Sequence, residues 1–97
     1  MAQVTVTIRV KANAEKIYIV GSTKNLGEWN TKSAVELKDG AVSKKFDEGT
    51  KVEYTVLSAK TWDAVEKGIN GEELENHSFV ASKDVKNIEI VVENFNA

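Results

Sequence analysis

Apolar side chains at Val4, Val6, Ile8 and Val10 alternate with Gln3, Thr5, Thr7 and Arg9 at the opening of the chain. A period of two places one row of side chains on each face of an extended strand, so this stretch predicts a half-buried strand. Asn13-Ala14-Glu15 predicts a turn. Lys16–Gly21 then carries Ile17, Tyr18, Ile19 and Val20 in succession, apolar enough for a central strand. Residues 22–33 are polar turn formers around Gly27 and Trp29 and predict a structured loop. Short strands are expected at Ala34–Lys38 and Ala41–Phe46, joined by Asp39-Gly40, a dipeptide suited to a tight hairpin turn. After a turn at Glu48-Gly49, Val52–Ser58 alternates Val52, Tyr54 and Val56 with Glu53, Thr55 and Leu57. A second long loop, residues 59–72, surrounds Trp62. Strands over Leu74–Val80 and Asn87–Val92 complete the pattern, the last with Ile88, Ile90 and Val92 on one side and Val91 on the other. Helical spacing is confined to a turn or two near Thr61–Lys67.

Seven or eight short strands with regular turn signals in 97 residues predict an all-β fold. The expected architecture is a two-sheet antiparallel immunoglobulin-like β-sandwich. The length suits one domain over residues 1–97, expected to be a module cut from a larger protein. A chain of this size buries roughly 60–65% of its unfolded surface, enough for one thin core but not for a deep enzyme cleft.

Charge and chemistry narrow the function. Thirteen basic and fifteen acidic residues give a formal charge of −2, without the clustered Lys and Arg that nucleic acid or an anionic membrane surface requires. No apolar run approaches membrane-spanning length. The absence of cysteine excludes a disulfide framework and a thiolate metal site. A single histidine, His77, offers neither a two-histidine metal site nor a base for a nucleophilic serine, and no Gly-x-Ser-x-Gly elbow or phosphate-cradling loop is present. His77 itself reads as a surface or strand-entry residue, and Tyr54 as a partner of the core-facing valines. A non-catalytic module without cofactor or metal is expected.

The informative residues are the two tryptophans. Trp29 lies in Asn25-Leu26-Gly27-Glu28-Trp29-Asn30-Thr31, and Trp62 in Lys60-Thr61-Trp62-Asp63-Ala64-Val65-Glu66. Both sit in polar loops rather than in alternating strands. As lids on the sandwich edge they would be buried, and the domain would be a structural spacer or adhesion module. As exposed platforms they would stack on the C–H face of a pyranose, whose slightly positive hydrogens complement the negative face of an indole. Glu28 and Asn30 beside one, and Lys60, Asp63 and Glu66 beside the other, would meet the sugar hydroxyls at the rim.

The segment Lys16–Leu37, with Tyr-x-Val-Gly, then Leu26-Gly27-Glu28-Trp29, then Ala34-Val35-Glu36-Leu37, resembles the opening of starch-binding domains of carbohydrate-binding module family 20. Glu48-Gly49-Thr50-Lys51-Val52-Glu53-Tyr54 is similar to the family's Ala-Gly-x-x-x-Glu-Tyr strand, and Trp62 followed by Asn76 arrives in the family's order. The resemblance implies that Trp29 and Trp62 stack on consecutive glucose units and that Asn76 hydrogen-bonds sugar hydroxyls. The lysine usual after Glu-Tyr is Thr55 here, a lost sugar contact unless Lys60 replaces it. Tyr18 matches a residue of a second site in the family. With no tryptophan in Ala41–Phe46 that site is expected to be missing or weak, and Tyr18 to be a core or edge residue. The loop between Trp62 and Asn76 is longer than in fungal members and looks more like bacterial relatives. The implied ligands are starch-like α-glucans, maltooligosaccharides and cyclodextrin. The implied setting is a monomeric module of a larger secreted or cell-surface bacterial glycosidase. A glycogen-sensing regulatory module is the alternative that the resemblance leaves open.

Overall fold

The computed structural model describes residues 2–95. β1 (Gln3–Ala12) keeps the alternation of its sequence, burying Val6, Ile8 and Val10 and leaving Thr5, Arg9 and Lys11 to solvent. It is the middle strand of a three-stranded sheet. β4 (Ala41–Asp47) pairs with it antiparallel and β8 (Asn87–Val92) pairs with it parallel. The second sheet runs β3 (Val35–Glu36), β2 (Tyr18–Gly21), β5 (Lys51–Leu57), β7 (His77–Val80), antiparallel throughout. A small antiparallel ribbon of β6 (Glu66–Lys67) and β9 (Asn94–Phe95) flanks them.

The main core lies between the two larger sheets. Val6, Ile8, Val10, Phe46, Ile90 and Val92 come from one side, and Ile19, Val52, Tyr54 and Val56 from the other. The edge-to-face packing of Phe46 and Phe79, at 5.5 Å between centroids, closes one end. The expected sandwich is therefore present, with one departure: the β1–β8 pair is parallel. Parallel neighbours need a long crossover rather than a hairpin, and here nearly the whole intervening chain supplies it.

Element lengths differ where the pattern was short. The strand expected over Ala34–Lys38 contracts to Val35–Glu36, and that over Leu74–Val80 to His77–Val80. β6 and β9 are two residues each, too short for a period to register. The Asp39-Gly40 turn is as expected. Both residues have positive φ, and Lys38 and Ala41 exchange both backbone hydrogen bonds across it.

β2 is buried along its whole length, which a strand with one solvated face cannot be. Its outward side chains, Tyr18 and Val20, form a second apolar cluster with Ala34 and Leu57 on the far face of the sheet, against which Trp29 and Val65 pack. The two long loops fold over this outer face. That places both tryptophans on the same side of the molecule.

Candidate functional site

The loop after β2 presents Trp29 through a sequence of local necessities. Gly21 ends the strand where a Cβ would lie 2.6 Å from the Glu53 carbonyl oxygen, so no larger residue fits. Leu26, fully buried, drives the loop tip into the main core. Gly27, Glu28 and Trp29 then all take positive φ, of 87°, 49° and 64°. Left-handed backbone is costly for residues with a Cβ and persists only where surrounding bonds over-determine it. Here they do: Glu28 N–H donates to Thr23 O, and Trp29 N–H to Gly21 O at 2.9 Å. Asn30 caps the following turn, its side chain accepting from Lys32 N–H at 3.0 Å. The Leu-Gly-x-Trp sequence is thus an anchor, a left-handed reversal and a displayed indole.

Trp62 is held by a different device. Thr61 caps a single 3-10 turn, Trp62–Ala64, accepting from Asp63 N–H at 3.3 Å. Ser58 N–H donates to Ala64 O, and Val65 bridges back to Leu57 at the end of β5. The turn is therefore a short arch with both feet on the end of one strand, and Trp62 stands on it.

The two ring centroids are 6.3 Å apart and the planes are tilted by 31°. The separation falls in the range of directly packed aromatic pairs, so each indole supports the other. Trp29 is half-buried against the outer cluster, while Trp62 is 47% exposed, among the largest exposed apolar surfaces of the described residues. Two indoles lying side by side, inclined and open to solvent, form a stepped apolar platform with a polar surround.

Other expected site residues divide. Asn76 is exposed immediately before β7, and the alternation that turns His77 and Phe79 toward Tyr54 puts it on the opposite, outer side. Lys60 is exposed, its Nζ 5.9 Å from the centroid of the Tyr18 ring, which joins it to the platform side by a cation–π contact. Tyr18 itself is only 8% exposed and packs with Val20, Leu57 and Trp29, a supporting residue beneath the platform rather than an open sugar surface. Thr55 is buried and donates to Glu66 Oε1 at 3.4 Å, so it offers no rim donor.

Glu66 requires a correction. It was expected at the sugar rim beside Trp62, but it is 3% exposed, and its carboxylate lies 2.6 Å from His77 Nε2. The arch returns the chain to the sheet at Val65, and the next side chain consequently points inward. His77 is likewise more than a surface residue, stacking on Tyr54 at 5.3 Å with planes 29° apart. Burial, and secondarily the Glu66 charge, hold the Tyr54 phenol well above its ordinary range. No local signal in the sequence marked Glu66 and His77 as a pair, because they lie eleven positions apart and both stand among polar neighbours.

The sequence pattern of a family described as "Starch binding domain" matches residues 2–91. The chain belongs to the starch-binding domain family. No curated protein sequence matches this starch-binding domain significantly. Its fold is similar to the family 20 CBM of the maltotetraose-forming amylase from Pseudomonas saccharophila STB07. There the TM-score is 0.68 at 24% identity, over 91% of this chain and 99% of that one. A glucoamylase from Hypocrea jecorina gives a TM-score of 0.74 at 19% identity, over 97% of this chain and 18% of that one. The gamma-CGTase of alkalophilic Bacillus clarkii gives 0.62 at 19% identity, over 95% of this chain and 15% of that one. At these identities the structural likeness establishes the shared β-sandwich; family membership rests on the sequence pattern.

Proposed function

We propose that this starch-binding domain holds starch-type α-glucans by laying neighbouring glucose units on Trp29 and Trp62, and that it does so without catalysing a reaction. The observation that carries this reading is the side-by-side placement of two inclined indoles, one of them half exposed, on the outer face of a sheet. An α-1,4 glucan turns from one ring to the next, so successive sugars present their C–H faces at an angle, as two tilted planes require. Asn76, Lys60, Glu28, Asn30 and Asp63 are exposed and would partner the sugar hydroxyls at the rim. The spacer alternative needs both indoles buried, and the exposure of Trp62 argues against it.

The module acts alone, as a monomer, and concentrates an appended glycoside hydrolase on insoluble substrate outside the cell. Tethering of this kind raises effective concentration without new chemistry. Retention of the protein on granular starch, with cellulose as the control, tests the reading. Equal retention on both, or on neither, refutes it.

A further inference from the structure

The Glu66 carboxylate is out of contact with water, and a charge so placed must be paired to be tolerable. Its neighbours are His77 Nε2 at 2.6 Å from β7 and the Thr55 hydroxyl at 3.4 Å from β5. Nε2 has no aligned hydrogen bond among the described residues, so the two groups meet as a close polar contact rather than through a directed bond. Tyr54 from β5 lies against both groups, stacked on the imidazole and close enough to Glu66 for the carboxylate to act on its phenol. β9 meets Glu66 through Phe95 and adds no charge there.

The place of this pair in the chain is what gives it a role. Glu66 follows Trp62 by four residues, and His77 directly follows Asn76. The edge of β5 is covered by β7 as far as the Tyr54–His77 row, and by Val65 again at Leu57. Between them, at Thr55 and Val56, neither ladder continues, and the Glu66 side chain closes that gap. The contact therefore ties the middle of the connection between β5 and β7, just past Trp62, to its end at β7, beside Asn76. We propose that Glu66 and His77 are positioning residues: a buried latch that fixes the Trp62 arch against Trp29 and thereby preforms the α-glucan platform. The inference rests on the stacking site described above.

The test combines two readouts on the intact domain. One is the exciton couplet of the adjacent indoles in circular dichroism without sugar, which reports the Trp29–Trp62 geometry directly. The other is β-cyclodextrin affinity by titration calorimetry. Glu66→Gln keeps the shape and removes the charge. It should shrink the couplet and weaken binding about tenfold, in line with the coupling of contacting buried pairs, while unfolding stays cooperative. Wild-type couplet and affinity in this variant overturn the latch. Should Glu66→Gln not fold, His77→Gln, which removes the partner instead, answers the same question. A reduced couplet with weaker affinity in that variant supports the latch, and a wild-type couplet overturns it. A wild-type protein that shows the couplet but binds no α-glucan refutes the sugar site instead, and the couplets of the variants still decide the latch.

Discussion

Trp29 and Trp62 lie side by side with centroids 6.3 Å apart, yet they carry different burdens. Trp62 stands half exposed on an arch held by backbone hydrogen bonds, the Thr61 cap and the Ser58 hydroxyl donating to Ala64 O, none of which uses the indole, so its ring contributes little to folding. Trp29 covers Tyr18, Val20, Ala34 and Leu57. Trp62→Ala should therefore lose starch binding, with a platform worth about 1–3 kcal/mol by analogy with stacked bases, and melt near the wild-type temperature. Trp29→Ala should lose binding and stability together, because it also strips an apolar cluster. Starch retention and a melting curve for each variant check this, and a Trp62→Ala protein that binds normally refutes the site. Tyr54 gives a prediction of another kind. Its phenol is held above the ordinary value by burial first and by Glu66 second, so the folded state resists ionising it while the unfolded chain does not. The stability so gained is complete below the ordinary tyrosine value near pH 10 and is lost as pH rises beyond it. Melting temperatures from about pH 8 to pH 11 should fall less steeply in Tyr54→Phe than in the wild type. Parallel curves would contradict the assignment.

At the scale of elements, the reversal Gly27-Glu28-Trp29 is where sequence and structure meet most closely. Gly27 has φ 87°, and a Cβ there would lie 2.7 Å from the Ser33 carbonyl oxygen. Gly27→Ala must shift the loop as well as strain it, and should cost more than about 1–2 kcal/mol, the penalty of left-handed backbone alone. Each kcal/mol lowers the melting temperature by about 4–8 °C in a domain of this size, and the Trp29 ring should be displaced, weakening starch binding. Unchanged melting and binding in the Gly27→Ala variant would show that the reversal is not needed. The same loop explains what was legible beforehand. Val6, Ile8 and Val10 announced their strand because one face is wet and the other dry, and Asp39-Gly40 announced its turn because few residues take positive φ in succession. The tryptophans stood out as aromatics misplaced among polar residues. Glu66 did not stand out, since its burial depends on His77 and on the return of the chain at Val65, contacts between residues distant in sequence. The parallel pairing of β8 with β1 was hidden for the same reason: alternation specifies which face of a strand is buried but not which neighbour it takes.

Over the whole molecule, the proposed site is an open platform on one face of a small sandwich rather than a cleft, and this sets the kind of affinity it can reach. Two stacked sugars and a few rim hydrogen bonds must offset the lost freedom of a flexible chain, which leaves a dissociation constant roughly between micromolar and millimolar. The glucan is neutral and releases no counterions, so added salt should change that value little. Glucose covers one indole and should bind barely at all. Maltose reaches both, and longer maltooligosaccharides should gain only slightly more, through exposed groups such as Asn76 and Lys60. Cyclodextrin should bind well for its size, because its closed ring already has the curvature of the α-1,4 chain and has less freedom to lose. Cellooligosaccharides are flat, and two planes inclined by 31° cannot both lie parallel to consecutive rings of a flat chain. Calorimetric titration with glucose, maltose, maltoheptaose, β-cyclodextrin and cellohexaose should therefore give a step between glucose and maltose, a plateau beyond it, and no heat from the cellulose series. Equal affinity for the maltose and cellulose series would mean that the tilt of Trp62 against Trp29 selects nothing, and the paired platform would have to be abandoned.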